Sequence, residues 1–226
     1  MRNGLADDFL LLALDDKGNN LAGDPGLDYG LAGAVLLDLM LAGRLDLAEQ
    51  RVTVTDPAPT GDPVTDGALT RIAGAGKPRK PDDWIQPLTD GLRAELLDRQ
   101  VAAGVLRRDQ DRVLWVFPRT RYASATGAEP AAETEVRREL AAALDGAGPV
   151  SARTAALLGL LQAVGLARKV FPDRPAKELK ARLDEIAAGN WAAEAVRQAI
   201  ARIQALIATM AAVTAATTAA TTVTST

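Results

Sequence analysis

A chain of 226 residues with neither cysteine nor histidine cannot build a disulfide framework, a Cys–His or Ser–His–Asp nucleophile, or a thiolate- or imidazole-bound zinc. Its 24% charged and 48% apolar residues are an ordinary soluble balance, enough to bury a substantial core. The formal charge of -3 gives no general attraction to nucleic acid or to anionic membrane, so either kind of binding would need a local basic patch.

The first residues, Met1 to Asp8, are acidic where a signal peptide would be basic, and the apolar run Phe9 to Leu14 is short and followed by Asp15-Asp16-Lys17. A cytoplasmic location is expected. Leu5 to Leu14 reads as a short helix with Leu5, Phe9, Leu12 and Ala13 on one side and Asp7 and Asp8 in its first turn. Turn composition at 15–20 and the break at Asp24-Pro25-Gly26 lead to the central stretch, Tyr29 to Leu47. There Leu31, Val35, Leu36, Leu39, Met40 and Leu41 recur at three- and four-residue spacing, and Asp38 is the one charge before Arg44. Such a helix is apolar on most of its circumference and belongs in a core, yet it is too short to span a bilayer. Gly43 ends it, with Arg44 expected to cap its carbonyl end.

Leu45 to Leu47 and Arg51 to Thr55 alternate as a small hairpin, and after the Pro57–Pro63 loop Thr65 or Asp66 is expected to cap a helix through Ile72. Gly74 to Pro81 reads as a basic linker carrying Lys77, Arg79 and Lys80, and Asp82-Asp83-Trp84-Ile85 opens another helix. Leu92 to Gly104 is amphipathic, with Leu92, Leu96 and Val101 inward and Arg93, Glu95, Asp98 and Arg99 outward. Val105–Arg108 and Val113–Phe117 read as two strands joined by a turn at Asp109-Gln110-Asp111. Helices follow at Ala131–Leu144, Thr154–Val164 and Ala176–Ile186, the second apolar nearly all round, and a last one runs from about Asn190 through Ile207. The uncharged Ala/Thr-rich end formally permits a membrane span, but threonine is costly there and no positive residue follows; residues 211–226 are read as a low-complexity tail. The fold expected is mainly α: a single helical domain, residues 5–210, around a buried central helix, with short edge β-hairpins.

Several blocks resemble, in order and spacing, the Golgi phosphoprotein 3 family: Gly30-Leu31-Ala32-Gly33 leading into Leu41-Ala42-Gly43-Arg44-Leu45, Ala58-Pro59-Thr60-Gly61-Asp62, Asp83-Trp84-Ile85, Leu96 to Leu106, Leu114 to Phe117, and Arg153 to Leu158. The composition looks like that of a bacterial, actinobacterial-type member. The resemblance implies a helical domain and a non-catalytic peripheral protein. Eukaryotic members bind phosphatidylinositol 4-phosphate on Golgi membranes and hold glycosyltransferases there. The partners implied are an anionic phospholipid or phosphoinositide at the cytoplasmic face of a membrane and, as clients, membrane proteins. No cofactor and no nucleic acid are implied. Two family lipid contacts, a tryptophan and an arginine, fall here near Gly23 and at Ala32.

A phosphorylated headgroup calls for two or three convergent basic side chains, with the arginine fork preferred. Arg119 and Arg121, just past the predicted second hairpin, could meet Arg137 and Arg138 across the 124–130 loop. The plain alternative places Arg137 and Arg138 on a solvated helix face, paired with neighbouring glutamates. Trp84, Trp115 and Trp191 are candidate interfacial anchors, Trp115 more in keeping with core packing. A competing class is a soluble protein- or nucleic-acid-interaction module, because Leu92 to Phe117 has the helix-then-hairpin order of a winged helix with Arg107, Arg108 and Arg112 on the wing.

Overall fold

The structure, a computed structural model, describes residues 3–113, 117–189, 201–210 and 212. The chain runs α1 (Leu5–Leu12), α2 (Gly26–Leu41), β1 (Leu45–Ala48), β2 (Arg51–Val54), α3 (Pro63–Ala73), α4 (Asp82–Thr89), α5 (Leu92–Ala102), β3 (Leu106–Val113), β4 (Phe117–Ser124), α6 (Ala131–Leu144), α7 (Ala152–Ala163), α8 (Ala167–Val170) and α9 (Ala176–Ala188). Residues 201–210 form a further helix, α10. Among the described residues the strands form two antiparallel hairpins, β1–β2 and β3–β4. The expected mainly helical architecture with short hairpins is therefore realised.

α2 organises the body. It contacts α1, α3, α4, α5 and α7, and none of its residues is exposed. Leu31, Leu36, Leu37 and Leu39 have no accessible surface, and each such side chain contributes about 2 kcal/mol by leaving water. The helix stops where Gly43 and Arg44 turn back: their N–H groups donate to the Met40 and Leu39 carbonyls at 3.0 and 2.8 Å. This backbone closure corrects the expected role of Arg44. Its side chain does not cap the helix but reaches Asp56 and the Pro59 carbonyl.

α1 departs further from expectation. All eight of its residues are buried, Asp7 and Asp8 included at 4% exposure each. α2, α5, α6 and α7 enclose it, so no solvent face is left for its acids. At α3 the cap is Asp62, whose Oδ1 accepts the Thr65 N–H at 3.0 Å, with Pro63 next in line; Thr65 and Asp66 lie inside the helix. Residues 74–81 are not a free linker, since the Arg79 carbonyl accepts the Val52 N–H at 2.8 Å and adds a bridge to the β1–β2 ribbon. Trp84 is 3% exposed in α4, which removes it as an interfacial anchor.

The second hairpin is longer than its sequence suggested. β3 pairs with β4 from Leu106 opposite Ser124 to Val113 opposite Phe117. Asp109, Gln110 and Asp111 are strand residues, not a turn, and residues 114–116 lie outside the described residues. Arg119 and Arg121 consequently lie within β4, opposite Asp111 and Asp109. Trp115, Trp191 and the start of the last predicted helix, 190–200, also fall outside the described residues, as does most of the tail.

Candidate functional site

Two places bring charged side chains together. The first is built on the amino end of α1. Gly4, at its N-cap, has no side chain to offer, and Asp38 reaches across from α2 instead: its Oδ2 accepts the Leu5 N–H at 2.7 Å. Arg153, at the start of α7, donates through Nη2 to the Asn3 carbonyl at 2.7 Å and to Asp8, with Nη1 3.5 Å from Asp38 Oδ1. From α5, Arg99 donates Nε to Asp7 Oδ1 at 3.1 Å and Nη2 to Asp7 Oδ2, while Nη1 turns to the α3 cap, Asp62. Gln100 Nε2 completes the Asp7 shell at 2.7 Å. Arg99 thus points inward, against the outward placement expected from its helix pattern.

These groups border a cavity of about 640 Å³ that Asp7, Asp38, Asp62, Arg99, Gln100 and Arg153 help to line. Burial pushes the Asp38 carboxyl up to about 6, the Arg153 charge and the Leu5 and Ala6 N–H groups opposing it. Burial also raises Asp8, with Asp7 and Glu139 adding repulsion and Arg153 opposing. Each acid of the set holds a hydrogen bond or ion pair within the protein, so the arrangement ties α1, α2, α3, α5 and α7 together. Among the described residues no group of three or more acidic side chains is placed to hold a metal ion. The sequence signal for this network was Asp38 itself: a charge in an otherwise apolar helix demands a buried partner.

The second is α6, which carries Arg137 and Arg138, while Arg119 and Arg121 lie on β4. Arg137 on α6 donates Nε and Nη2 to Glu133 Oε1 at 2.9 and 2.6 Å and Nη1 to the Val170 carbonyl at 3.0 Å, with Glu129 3.1 Å from Nε. Glu133 is 7% exposed, and burial raises its pKa against the pull of Arg137. Arg138 stands exposed, with Glu135 3.6 Å away at the preceding turn. The helix-face pairing weighed from sequence is thus present for both. Arg121 is half-buried on β4, two positions from Arg119 and on the same strand face; the Arg119 side chain lies outside the described residues. The two positions at which the family's lipid contacts would fall diverge: Ala32 is wholly buried inside α2, and Gly23 is exposed in the loop before it. On the would-be wing, Arg107 pairs with Asp109 at 3.2 Å and Arg108 with Asp98.

Among the described residues no helix is long and apolar enough to cross a membrane. The chain is therefore a helical protein wrapped around one buried helix, with two hairpins on its outside. A family model for Golgi phosphoprotein 3 (GPP34) matches residues 5–203, nearly the whole chain, and the protein belongs to that family. Among curated proteins none matches it.

Proposed function

We propose that this protein is a non-catalytic peripheral membrane protein that binds anionic phospholipid headgroups, phosphatidylinositol 4-phosphate by family resemblance, at the cytoplasmic face of a membrane, and serves there as an adaptor for membrane proteins. The observation that carries the reading is the family match across residues 5–203. Arg119, Arg121, Arg137 and Arg138 form the proposed headgroup site. Arg138 is the natural first contact, because its carboxylate neighbour among the described residues, Glu135, lies 3.6 Å away on an exposed helix face and competes weakly with a doubly charged phosphate. Arg137 joins by exchanging Glu129 for phosphate while keeping Glu133, its closer partner.

Co-sedimentation with vesicles tests this. Wild type is expected to pellet with phosphatidylcholine vesicles doped with phosphatidylinositol 4-phosphate, and the Arg119→Glu/Arg121→Glu/Arg137→Glu/Arg138→Glu protein to stay in the supernatant. Equal pelleting of the two would sink the headgroup site. Failure of the wild type to pellet would sink the membrane reading.

A further inference from the structure

From the pattern of unpaired charge we infer that a second surface, formed by Arg51, Lys77, Arg79, Lys80 and Arg202, docks the protein electrostatically on an anionic lipid leaflet independently of the headgroup site. The inference rests on the membrane reading above and adds to it the face that meets the lipid plane.

Three segments far apart in the chain deliver these cations to one place. Arg51 opens β2 and donates Nη1 to the Pro78 carbonyl at 3.2 Å, which fixes residues 77–80 beside the tip of the β1–β2 hairpin. The next residue, Val52, donates its N–H to the Arg79 carbonyl at 2.8 Å, an isolated antiparallel bridge that pins the two stretches together. Arg79 is held by stacking, its guanidinium 5.2 Å from the centre of the buried Trp84 ring. Arg202 comes from α10 and donates to Gln50 Oε1 at 2.9 Å, at the turn just before Arg51. Arg51, Lys77 and Lys80 are exposed.

What the patch brings together is charge that no carboxylate neutralises. Arg44, Arg93, Arg99, Arg137, Arg153 and Arg174 all have carboxylates against them. Among the described residues, none of the five patch cations has one within ion-pair distance. Two acids of the neighbourhood are turned to other tasks, Asp83 accepting the Lys80 backbone N–H at 3.2 Å and Asp46 the Leu47 N–H at 2.7 Å, while Glu49 stands exposed in the hairpin turn. A protein with net charge -3 thus gathers five unneutralised cations at this edge, although Lys17, Arg71, Arg168, Lys169 and Lys177 also lack a carboxylate partner among the described residues.

That chemistry fits a lipid leaflet better than a nucleic acid. A leaflet presents mobile anions in a plane, and each cation brought near it strengthens partitioning about fivefold, so a handful suffices. Duplex binding relies on roughly six to ten phosphate contacts and a basic face, more than five cations supply.

The test uses the full chain, vesicles of phosphatidylcholine alone or mixed with phosphatidylglycerol, and two neutralised variants, Arg51→Gln/Lys77→Gln/Lys80→Gln and Lys77→Gln/Lys80→Gln. The second touches no side-chain hydrogen bond, so it folds whatever Arg51 does. Wild type should prefer the phosphatidylglycerol vesicles, the double variant should partition about 25-fold more weakly and the triple about 100-fold, with the differences shrinking as salt is raised. The Arg121→Glu/Arg138→Glu protein should still prefer phosphatidylglycerol vesicles to phosphatidylcholine alone, and loss of that preference would show that the leaflet is met through the headgroup site instead. If both neutralised variants partition within twofold of wild type, the docking surface is refuted while the headgroup site stands. If wild type binds no anionic vesicle, both readings fall. If the variants lose only the retardation of duplex DNA at low salt, the patch serves nucleic acid and the lipid proposal is overturned.

Discussion

Asp38 and Arg99 carry partly buried charge with opposite consequences, the first costing stability when ionised and the second supplying it. The Asp38 carboxyl is buried and raised from 3.8 to about 6, so the folded state binds its proton more tightly than the unfolded chain does. Its contribution to stability is complete below about pH 4 and is lost as pH rises through about 6. At roughly 1.4 kcal/mol per pKa unit the change approaches about 3 kcal/mol. Thermal melts of wild type should therefore fall across that window, Asp8 and Glu133 pushing the same way. Asp38→Asn should flatten the slope; an unchanged slope would show that Asp38 is already protonated or well solvated. Arg99 offers the converse case. Arg99→Ala leaves Asp7, 6% exposed at its side chain, and Asp62 without their cation, and should cost about 3 kcal/mol in urea unfolding. Arg99→Lys should recover little of this, because one ammonium cannot span both carboxylates as the guanidinium fork does.

Among the elements, α2 was legible because its pattern admits one solution: an apolar circumference needs protein on every side. The β3–β4 hairpin was not. Arg107 to Arg112 is polar on both strand faces, so no buried side fixes its register and Asp109-Gln110-Asp111 resembles a turn as much as a strand. α1 was legible as a helix but not as a wholly buried one, since Asp7 and Asp8 in a first turn are what any exposed helix would carry. Their burial depends on Arg99 and Arg153, 92 and 145 positions away, which no local pattern reports. The α1–α2 contact itself can be tested. A Cβ at Gly30 would lie 2.2 Å from Phe9 Cζ, and Phe9 has no accessible surface through which to escape. Helix propensity favours Gly30→Ala by about 1 kcal/mol, whereas forcing a methyl into a packed core costs about 1–3 kcal/mol. The clash should win, and a melting temperature at or above wild type would mean that α1 can shift.

Across the whole molecule the chain closes on itself. Ile203 and Ile207 of α10 have no accessible surface, and Gln204 donates to the Ala156 carbonyl of α7 at 3.1 Å. α10 thus seats on the pair of apolar helices that form the centre, joining residues near the end of the chain to the helix near its start. The seat is tight. A Cβ at Gly33 would come 2.1 Å from Ile207 Cδ1 and 3.3 Å from Leu160 Cδ2. This makes positions 33 and 207 a coupled pair whose energies should not add. Ile207→Val removes the δ-methyl and should cost about 1 kcal/mol through the small cavity left behind. Gly33→Ala should cost about 2 kcal/mol because Ile207 has nowhere to retreat. In the double variant the new methyl group occupies the vacated space, so the combined loss should fall below the sum of the single losses by about 1 kcal/mol or more. Chemical unfolding of the four proteins in one double-mutant cycle measures this directly. Simple additivity would mean that α10 does not rest on α2 in solution, and the buried centre would then need another cover.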